Sequence, residues 1–109
     1  MLIYVVHMRK HLKLGSNDQF LKEINEKKWC PYVLQCNDGT YYTGITTNIA
    51  RRLDEHNASS KGAKYTKARR PVKLVYWTDF KDRSSAQKAE YKFKQLTREQ
   101  KEEIINETG

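Results

Sequence analysis

The pattern of apolar and polar positions predicts a β-hairpin in the centre of the chain. Residues 32–36 are a strand candidate, residues 37–39 are turn formers, and residues 40–45 are rich in tyrosine and threonine, which favour strands. A further apolar run at residues 74–77 predicts a third strand. Together these runs predict one small sheet.

The length of the hairpin loop decides which side chains share a face of the sheet. A three-residue loop over 37–39, with Gly39 in the left-handed conformation, pairs Tyr32 with Gly44. Tyr32 and Tyr42 then lie on the same face. A two-residue loop would place the two tyrosines on opposite faces, because side chains alternate along a strand.

Helical spacing of apolar residues follows the hairpin. Thr47 or Asn48 caps a helix that carries Ile49 and Leu53 on its apolar side. Residues 59–71, which come next, are polar and basic and predict a loop.

Two capping-box signatures mark helices in the last third of the chain. Ser84 with Gln87 opens one helix, and Thr97 with Gln100 opens another, which ends near residues 104–105. The element order is therefore β-β-α-β-α-α. It predicts an α+β fold, a small three-stranded antiparallel sheet flanked by helices.

Residues 1–28 differ from the rest of the chain because they show no sustained period. We interpret them as a leader that is disordered or loosely attached to a domain over 29–109. A short helix in the second half of the leader would be hard to stabilise alone. His7 and His11 are four residues apart, but no third ligand accompanies them, so we predict no metal site there.

Length and composition exclude several classes of protein. A chain of 109 residues holds one domain, and its longest apolar run, residues 1–6, is far shorter than the roughly 20 residues that span a membrane. His7 and Arg9 interrupt that run, which argues against a secretory signal. The only cysteines, Cys30 and Cys36, are too few for a disulfide scaffold or a four-ligand zinc site. We expect a cytoplasmic protein with reduced cysteines and no membrane partner.

Positive charge is concentrated in one stretch of the sequence. The chain holds 21 Lys and Arg residues against 13 Asp and Glu, a net charge of +8. The segment 56–78 contains six basic residues and no acidic one: Lys61, Lys64, Lys67, Arg69, Arg70 and Lys73. This imbalance favours a polyanionic partner, most simply a nucleic acid.

Two predicted helices carry a charge on the face where apolar residues are expected. Arg52 shares a face with Leu53 and His56, and Glu90 shares one with Ala89. Charged side chains seldom occupy core-facing positions unless they are paired or functional. The alternative is a place at the edge of the stripe, with the charged heads reaching water.

These residue types suit chemistry on a phosphodiester. A guanidinium offers permanent donors to phosphate oxygens, and a single carboxylate suits Mg²⁺, which keeps most of its water ligands. A phenol assists a proton transfer when it is held near a cation. His56, one helical turn beyond Arg52, is either a partner in that work or a buried histidine with a packing role.

Six segments of the chain resemble the GIY-YIG nuclease superfamily. They are Tyr-Val-Leu at 32–34, Asp-Gly-Thr-Tyr-Tyr-Thr-Gly-Ile-Thr at 38–46, Arg-Arg-Leu-Asp-Glu-His-Asn at 51–57, Lys-Gly-Ala-Lys-Tyr-Thr at 61–66, Arg-Pro-Val at 70–72 and Asp-Arg-Ser-Ser-Ala at 82–86. The resemblance covers residues 30–106 and is greatest to small stand-alone bacterial members. Those members are related to the nuclease domain in the catalytic subunit of the eukaryotic structure-specific endonuclease.

The resemblance implies a metal-dependent nuclease, with Mg²⁺ or another divalent cation such as Mn²⁺ as its cofactor. The matching catalytic positions are Tyr32, Tyr42, Arg52, His56 and Glu90, with Glu90 as the metal ligand. The resemblance also places Lys64 and Tyr65 of the basic segment in a loop that borders the site. With the charge pattern, it predicts these nucleic-acid contacts: Lys61, Lys64, Tyr65, Lys67, Arg69 and Arg70.

The chain departs from the family pattern in both halves of the motif. Cys-Pro-Tyr ends at Tyr32 in place of Gly-Ile-Tyr, and Tyr-Thr-Gly ends at Gly44 in place of Tyr-Ile-Gly. The leading hypothesis is an endonuclease that cleaves DNA, with a protein partner as one means of targeting. The rival hypothesis is a module with a nuclease-like fold that binds nucleic acid or protein without cutting.

Overall fold

The computed structural model describes residues 28–107 as one antiparallel sheet with helices on both faces. The strands are β1 (Cys30–Gln35), β2 (Tyr41–Thr46) and β3 (Lys73–Trp77), in the order β2-β1-β3. The helices are α1 (Ile49–Ala58), α2 (Lys64–Lys67), α3 (Arg83–Lys94) and α4 (Arg98–Glu107). The predicted α+β fold is confirmed.

The hairpin between β1 and β2 has the three-residue loop. Cys36 N donates to Thr40 O over 2.8 Å, and Gly39 has a φ of +86°. Tyr32 pairs with Gly44. Because the register is now fixed, Tyr32 and Tyr42 lie on one face of the sheet, as the longer loop requires.

The alternation of side chains along β1 divides the core into two clusters. One cluster holds Tyr32 and Leu34 with Ile49 of α1, and Leu53 packs against it. The other holds Val33 with side chains of β3, α3 and α4. Helix α1 therefore covers one face of the sheet, while α3 and α4 cover the other.

Three predicted helix starts have different outcomes. Asn48 caps α1, with its Oδ1 accepting from Arg51 N over 2.9 Å. The prediction that Ser84 opens the next helix is wrong, because the N-cap is Asp82, two residues earlier, and α3 starts at Arg83. The carboxylate of Asp82 accepts from Ser85 N over 2.8 Å. A carboxylate at this position also favours the helix dipole.

The capping box predicted at Thr97 is confirmed. Gln100 N donates to Thr97 Oγ1 over 3.1 Å, and Thr97 N donates to Gln100 Oε1 over 2.9 Å. The helix runs to Glu107, beyond the predicted end at residues 104–105.

The basic segment predicted as a loop contains the single turn α2. Both Thr66 N and Lys67 N donate to Ala63 O over 3.1 Å. The segment packs tightly on α1, since a Cβ on Gly62 would lie 2.5 Å from Glu55 O. The backbone of the basic segment is thus held against α1, the helix that carries Arg52.

The predicted leader lies outside the described residues, apart from its last member. Lys28 Nζ lies 3.6 Å from Asp79 Oδ2. The short helix predicted in the leader and the pair His7 and His11 also lie outside. In the part of the chain that is described, no helix is long and apolar enough to cross a membrane.

Candidate active site

The side chain of Tyr32 extends from the central strand β1 over Gly44 of the edge strand β2. A Cβ on Gly44 would lie 2.6 Å from Tyr32 Oη, so the phenol occupies the space that any larger residue would take. Strand β2 lies at the edge of the sheet. The missing side chain at Gly44 therefore allows the hydroxyl of a central strand to approach the open edge.

His56 is completely buried beneath this phenol. Its Nε2 lies 2.8 Å from Tyr32 Oη, and its Nδ1 lies 2.9 Å from Thr66 Oγ1. Ala63 N also donates to Nδ1 over 3.3 Å. The imidazole thus links the phenol to the turn α2 through both ring nitrogens.

Burial dominates the protonation of the tyrosine and the histidine. It lowers the pKa of His56 to about 4, helped by the positive charge of Arg52. Burial, with the nearby Tyr42 phenol and the Glu90 carboxylate, raises the pKa of Tyr32 to about 12, and Arg52 acts in the opposite direction. Both groups are therefore neutral at pH 7.

The buried imidazole predicts a loss of stability on mild acidification. The pKa of His56 is about 4 in the folded protein and 6.5 in the unfolded chain. Between these two pH values the unfolded chain therefore binds one more proton than the folded protein. The free energy of unfolding should fall by about 2 kcal/mol from about pH 7.5 to about pH 5 through this group alone. Urea unfolding of the wild type and of His56→Gln measures the difference. Equal pH dependence in the two proteins would contradict the assignment.

Arg52 is held by two acceptors on its own side of the site. Its Nη1 donates to Glu55 Oε1 over 2.8 Å and to the carbonyl of Lys61 over 2.9 Å. The guanidinium lowers the pKa of the Glu55 carboxyl, and it limits the rise that burial causes in the pKa of Tyr32. A charge on the apolar side of α1 is therefore paired, and it is close to the phenol.

Glu90 approaches the phenol from the opposite face of the sheet. Its helix, α3, packs against β1 and β2, and its side chain is 20% exposed. Lys94 Nζ lies 3.2 Å from Glu90 Oε2. The carboxylate is close enough to Tyr32 to raise the pKa of that phenol. Three of the predicted catalytic side chains, Tyr32, Arg52 and His56, thus come together near the β2 edge, and the charge of Glu90 acts on the same phenol.

Tyr42 joins this group through an aromatic stack. Its ring lies edge-on to His56 with 5.1 Å between centroids, and it stacks on Tyr65 at 6.1 Å. The guanidinium of Arg69 covers the ring of Tyr65 at 3.8 Å, and its Nε lies 3.1 Å from Asp38 Oδ2. The hairpin turn and α2 therefore brace Tyr42 beside the buried imidazole.

The predicted nucleic-acid contacts fall into two groups, four exposed residues, of which Tyr65 is one, and the half-buried pair Arg69 and Arg70. Lys61, Lys64 and Lys67 are exposed. Arg70 turns inward, and it donates over 2.6 Å to the carbonyls of both His56 and Ser59 at the end of α1. This end of α1 is thus capped by a guanidinium, a favourable arrangement at a helix C-terminus.

Two side chains that support the site were not predicted from the sequence. Thr66 contacts His56, and Glu55 contacts Arg52. The three-residue spacing of Arg52 and Glu55 on one helix was an available signal for the second pair. The first pair depends on α2, a turn that the sequence pattern did not predict.

Comparison with known proteins decides the family. The profile of the GIY-YIG catalytic domain matches residues 28–103. The chain belongs to the GIY-YIG family.

Its GIY-YIG relatives include UPF0213 proteins. One from Desulfotalea psychrophila is 55% identical over 83 residues, 76% of each chain. Another, from Halobacterium salinarum, is 53% identical over 74 residues, 68% of this chain and 95% of that protein. The solution NMR structure of a protein from E. faecalis matches with a TM-score of 0.55 and 50% identity, over 77% of this chain and 88% of that one.

The GIY-YIG fold implies a divalent cation, and the donor set fits one. Residues 28–107 contain no group of three His, Cys, Asp or Glu side chains that could hold a metal ion. Mg²⁺ does not need such a group, because it binds through one or two carboxylates and keeps several waters. Glu90, whose side chain is 20% exposed, would meet that requirement.

Proposed function

We propose that this GIY-YIG protein is a divalent-metal-dependent endonuclease that hydrolyses phosphodiester bonds, with DNA as its expected substrate. One arrangement supports the proposal: the buried phenol of Tyr32 lies 2.8 Å from His56 and within electrostatic reach of the Arg52 guanidinium and the Glu90 carboxylate. Placing two charged side chains near one buried phenol costs free energy, because each charge loses contact with water. A catalytic role accounts for that cost.

The roles follow from the chemistry of each group. Arg52 stabilises the negative charge that develops on the phosphate, because its guanidinium is permanently charged and partly buried. Tyr32, which is neutral at pH 7, gives its own proton to solvent as it takes one from the attacking water, and Tyr42 orients that water. Glu90 would hold the cation, which supplies charge neutralisation at the phosphate and the leaving oxygen.

Cleavage of defined nucleic acids tests the proposal. Purified protein is incubated with branched, single-stranded and duplex DNA, and with the matching RNA, in the presence of Mg²⁺, Mn²⁺ or EDTA. Cleavage that requires the cation is the expected result. Binding without cleavage under every condition would instead support the non-catalytic binding module.

The exposed lysines beside the site predict a salt-dependent affinity for nucleic acid. Replacing Lys61, Lys64 and Lys67 with alanine should make the log–log salt slope less negative by about 2 to 3, since each phosphate contact contributes about −0.7 to −0.9. Fluorescence anisotropy with labelled DNA in EDTA measures the slope without cleavage.

A triple variant on other surfaces is the matched control for this charge change. Lys81, Lys88 and Lys92 are also exposed and lie outside the basic segment 56–78, and their replacement removes the same three charges. The control should leave the slope close to that of the wild type. Equal slopes in the two triple variants would move the binding surface away from the segment that contains α2.

A further inference from the structure

Two acceptors hold the Arg52 guanidinium, and both contact the same nitrogen. Nη1 donates to Glu55 Oε1 over 2.8 Å and to the backbone carbonyl of Lys61 over 2.9 Å. These two contacts use both hydrogens of Nη1. The edge formed by Nε and Nη2 is thereby left for other acceptors, and such an edge matches two oxygens of a phosphate.

The carbonyl of Lys61 reaches Arg52 because the next residue has no side chain. A Cβ on Gly62 would lie 2.5 Å from Glu55 O and 2.9 Å from His56 Cα, both of which are backbone atoms of α1. Gly62 does not have a positive φ. Close approach to α1, and not a left-handed backbone, therefore requires glycine at residue 62.

The residue after Gly62 contacts the candidate site as well. Ala63 N donates to His56 Nδ1 over 3.3 Å, so the backbone on either side of the glycine is bonded to a predicted catalytic side chain. The side chain of Lys61 is exposed, whereas its carbonyl faces Arg52. Residues 61–63 therefore present a positive charge to solvent and a fixed acceptor to the guanidinium.

We infer that Gly62 is a positioning residue: it lets the Lys61 carbonyl fix Arg52 through Nη1, which leaves the Nε and Nη2 edge of the guanidinium for the phosphate. A side chain at residue 62 would push residues 61–63 away from α1, because the atoms it meets belong to the helix backbone. Arg52 would keep Glu55 as an acceptor and lose the carbonyl. The effect on cleavage rests on the proposed function, but the placement of the guanidinium does not.

NMR of protein with ¹⁵N-labelled arginine tests this placement without any cleavage. Hydrogen bonds from Nη1 slow the rotation about the Cζ–Nη1 bond, and comparison with Arg52→Lys identifies the signals of Arg52. In Gly62→Ala the rotation should be at least about tenfold faster than in the wild type, the effect of one hydrogen bond to a charged group. Equal rotation rates in the wild type and a folded Gly62→Ala protein would overturn the inference.

Cleavage measures the consequence for the reaction. Gly62→Ala should lower the single-turnover rate at saturating protein about 10- to 100-fold, again the scale of one hydrogen bond to a charged group. DNA affinity in EDTA should stay close to that of the wild type, because the exposed lysines keep their charge. An unchanged saturating rate would overturn the positioning role, and a loss of affinity alone would make residue 62 part of the binding surface instead.

Gly39→Ala is the matched control for the added methyl group. The substitution is the same, but a Cβ at residue 39 would meet nothing within 4 Å. It should change neither the rotation in Arg52 nor the saturating cleavage rate. Equal effects of the two alanine variants on that rotation would contradict a specific role of Gly62.

Glu55→Ala decides the inference if Gly62→Ala does not fold. In this variant the Lys61 carbonyl alone holds Nη1 of Arg52, and the exposed Arg51 has lost its ion pair with residue 55. Rotation in Arg52 should stay slower than in Arg51, and equal rates would overturn the inference. If no protein in the series cuts DNA, the proposed function fails, while the arginine spectra report on the guanidinium independently.

Discussion

Glu90→Gln is expected to abolish metal-dependent cleavage while the protein stays folded and binds nucleic acid. The amide keeps the size of the side chain and removes the charge that a hard cation requires. A loss of about three orders of magnitude in single-turnover rate, roughly 4 kcal/mol, is the scale expected for this role. Cleavage at a fixed Mg²⁺ concentration, thermal unfolding and DNA anisotropy in EDTA measure the three properties separately.

The ion pair between Glu90 and Lys94 requires its own control. Lys94→Met breaks the same pair, in which Lys94 is about half exposed, and leaves the carboxylate in place. Exposed pairs of this kind contribute less than about 1 kcal/mol to stability. Lys94→Met should therefore cleave close to the wild-type rate. If Glu90→Gln also cleaves like the wild type, Glu90 does not hold the cation.

The positions of the predicted catalytic side chains could be derived from the sequence because they depend on strong local rules. A glycine at the third residue of the hairpin loop favours the odd loop, and that loop places Tyr32 and Tyr42 on one face. Arg52 and Glu90 interrupt apolar stripes, and such exceptions concentrate at functional sites.

The predicted binding surface was less certain from sequence because charge does not fix the direction of a side chain. In the sequence, Arg69 and Arg70 carry the same positive charge as the neighbouring lysines. In the structure, Arg69 pairs with Asp38, and Arg70 caps α1. Arg70 donates to backbone carbonyls that have no hydrogen-bond partner within the helix because they lie at its C-terminal end. The residue type alone does not show which carbonyls will lie near an arginine.

The differences at element boundaries have similar causes. β1 begins at Cys30, two residues before the predicted start at residue 32. Pro31 lacks a backbone donor, so a sequence-based prediction disfavours a strand there. Near the end of the strand that deficit has little effect, and the Pro31 carbonyl still accepts from Thr78 N over 3.1 Å. Helix α2 was missed because a single turn gives no periodic signal.

Gly44→Ala is expected to reduce cleavage about 100-fold through a single added methyl group. The new Cβ would lie 2.6 Å from Tyr32 Oη, so the phenol must move away from His56. Misplacement of a catalytic group by about 1 Å can cost about 100-fold in rate. Overpacking should also lower the free energy of unfolding by about 1–3 kcal/mol. Single-turnover cleavage at a temperature where the variant is folded, together with urea unfolding, measures both effects.

Gly39→Ala separates the displaced phenol from a general loss of stability. Gly39 has a φ of +86°, but an added Cβ would contact nothing within 4 Å. Its replacement strains the backbone by about 1–2 kcal/mol and leaves Tyr32 where it is. The two alanine variants should therefore be destabilised to a similar degree, and only Gly44→Ala should lose cleavage. If both retain the wild-type rate when folded, the contact between Tyr32 and His56 is not required for the reaction. Equal losses in both would instead trace the effect to the hairpin as a whole.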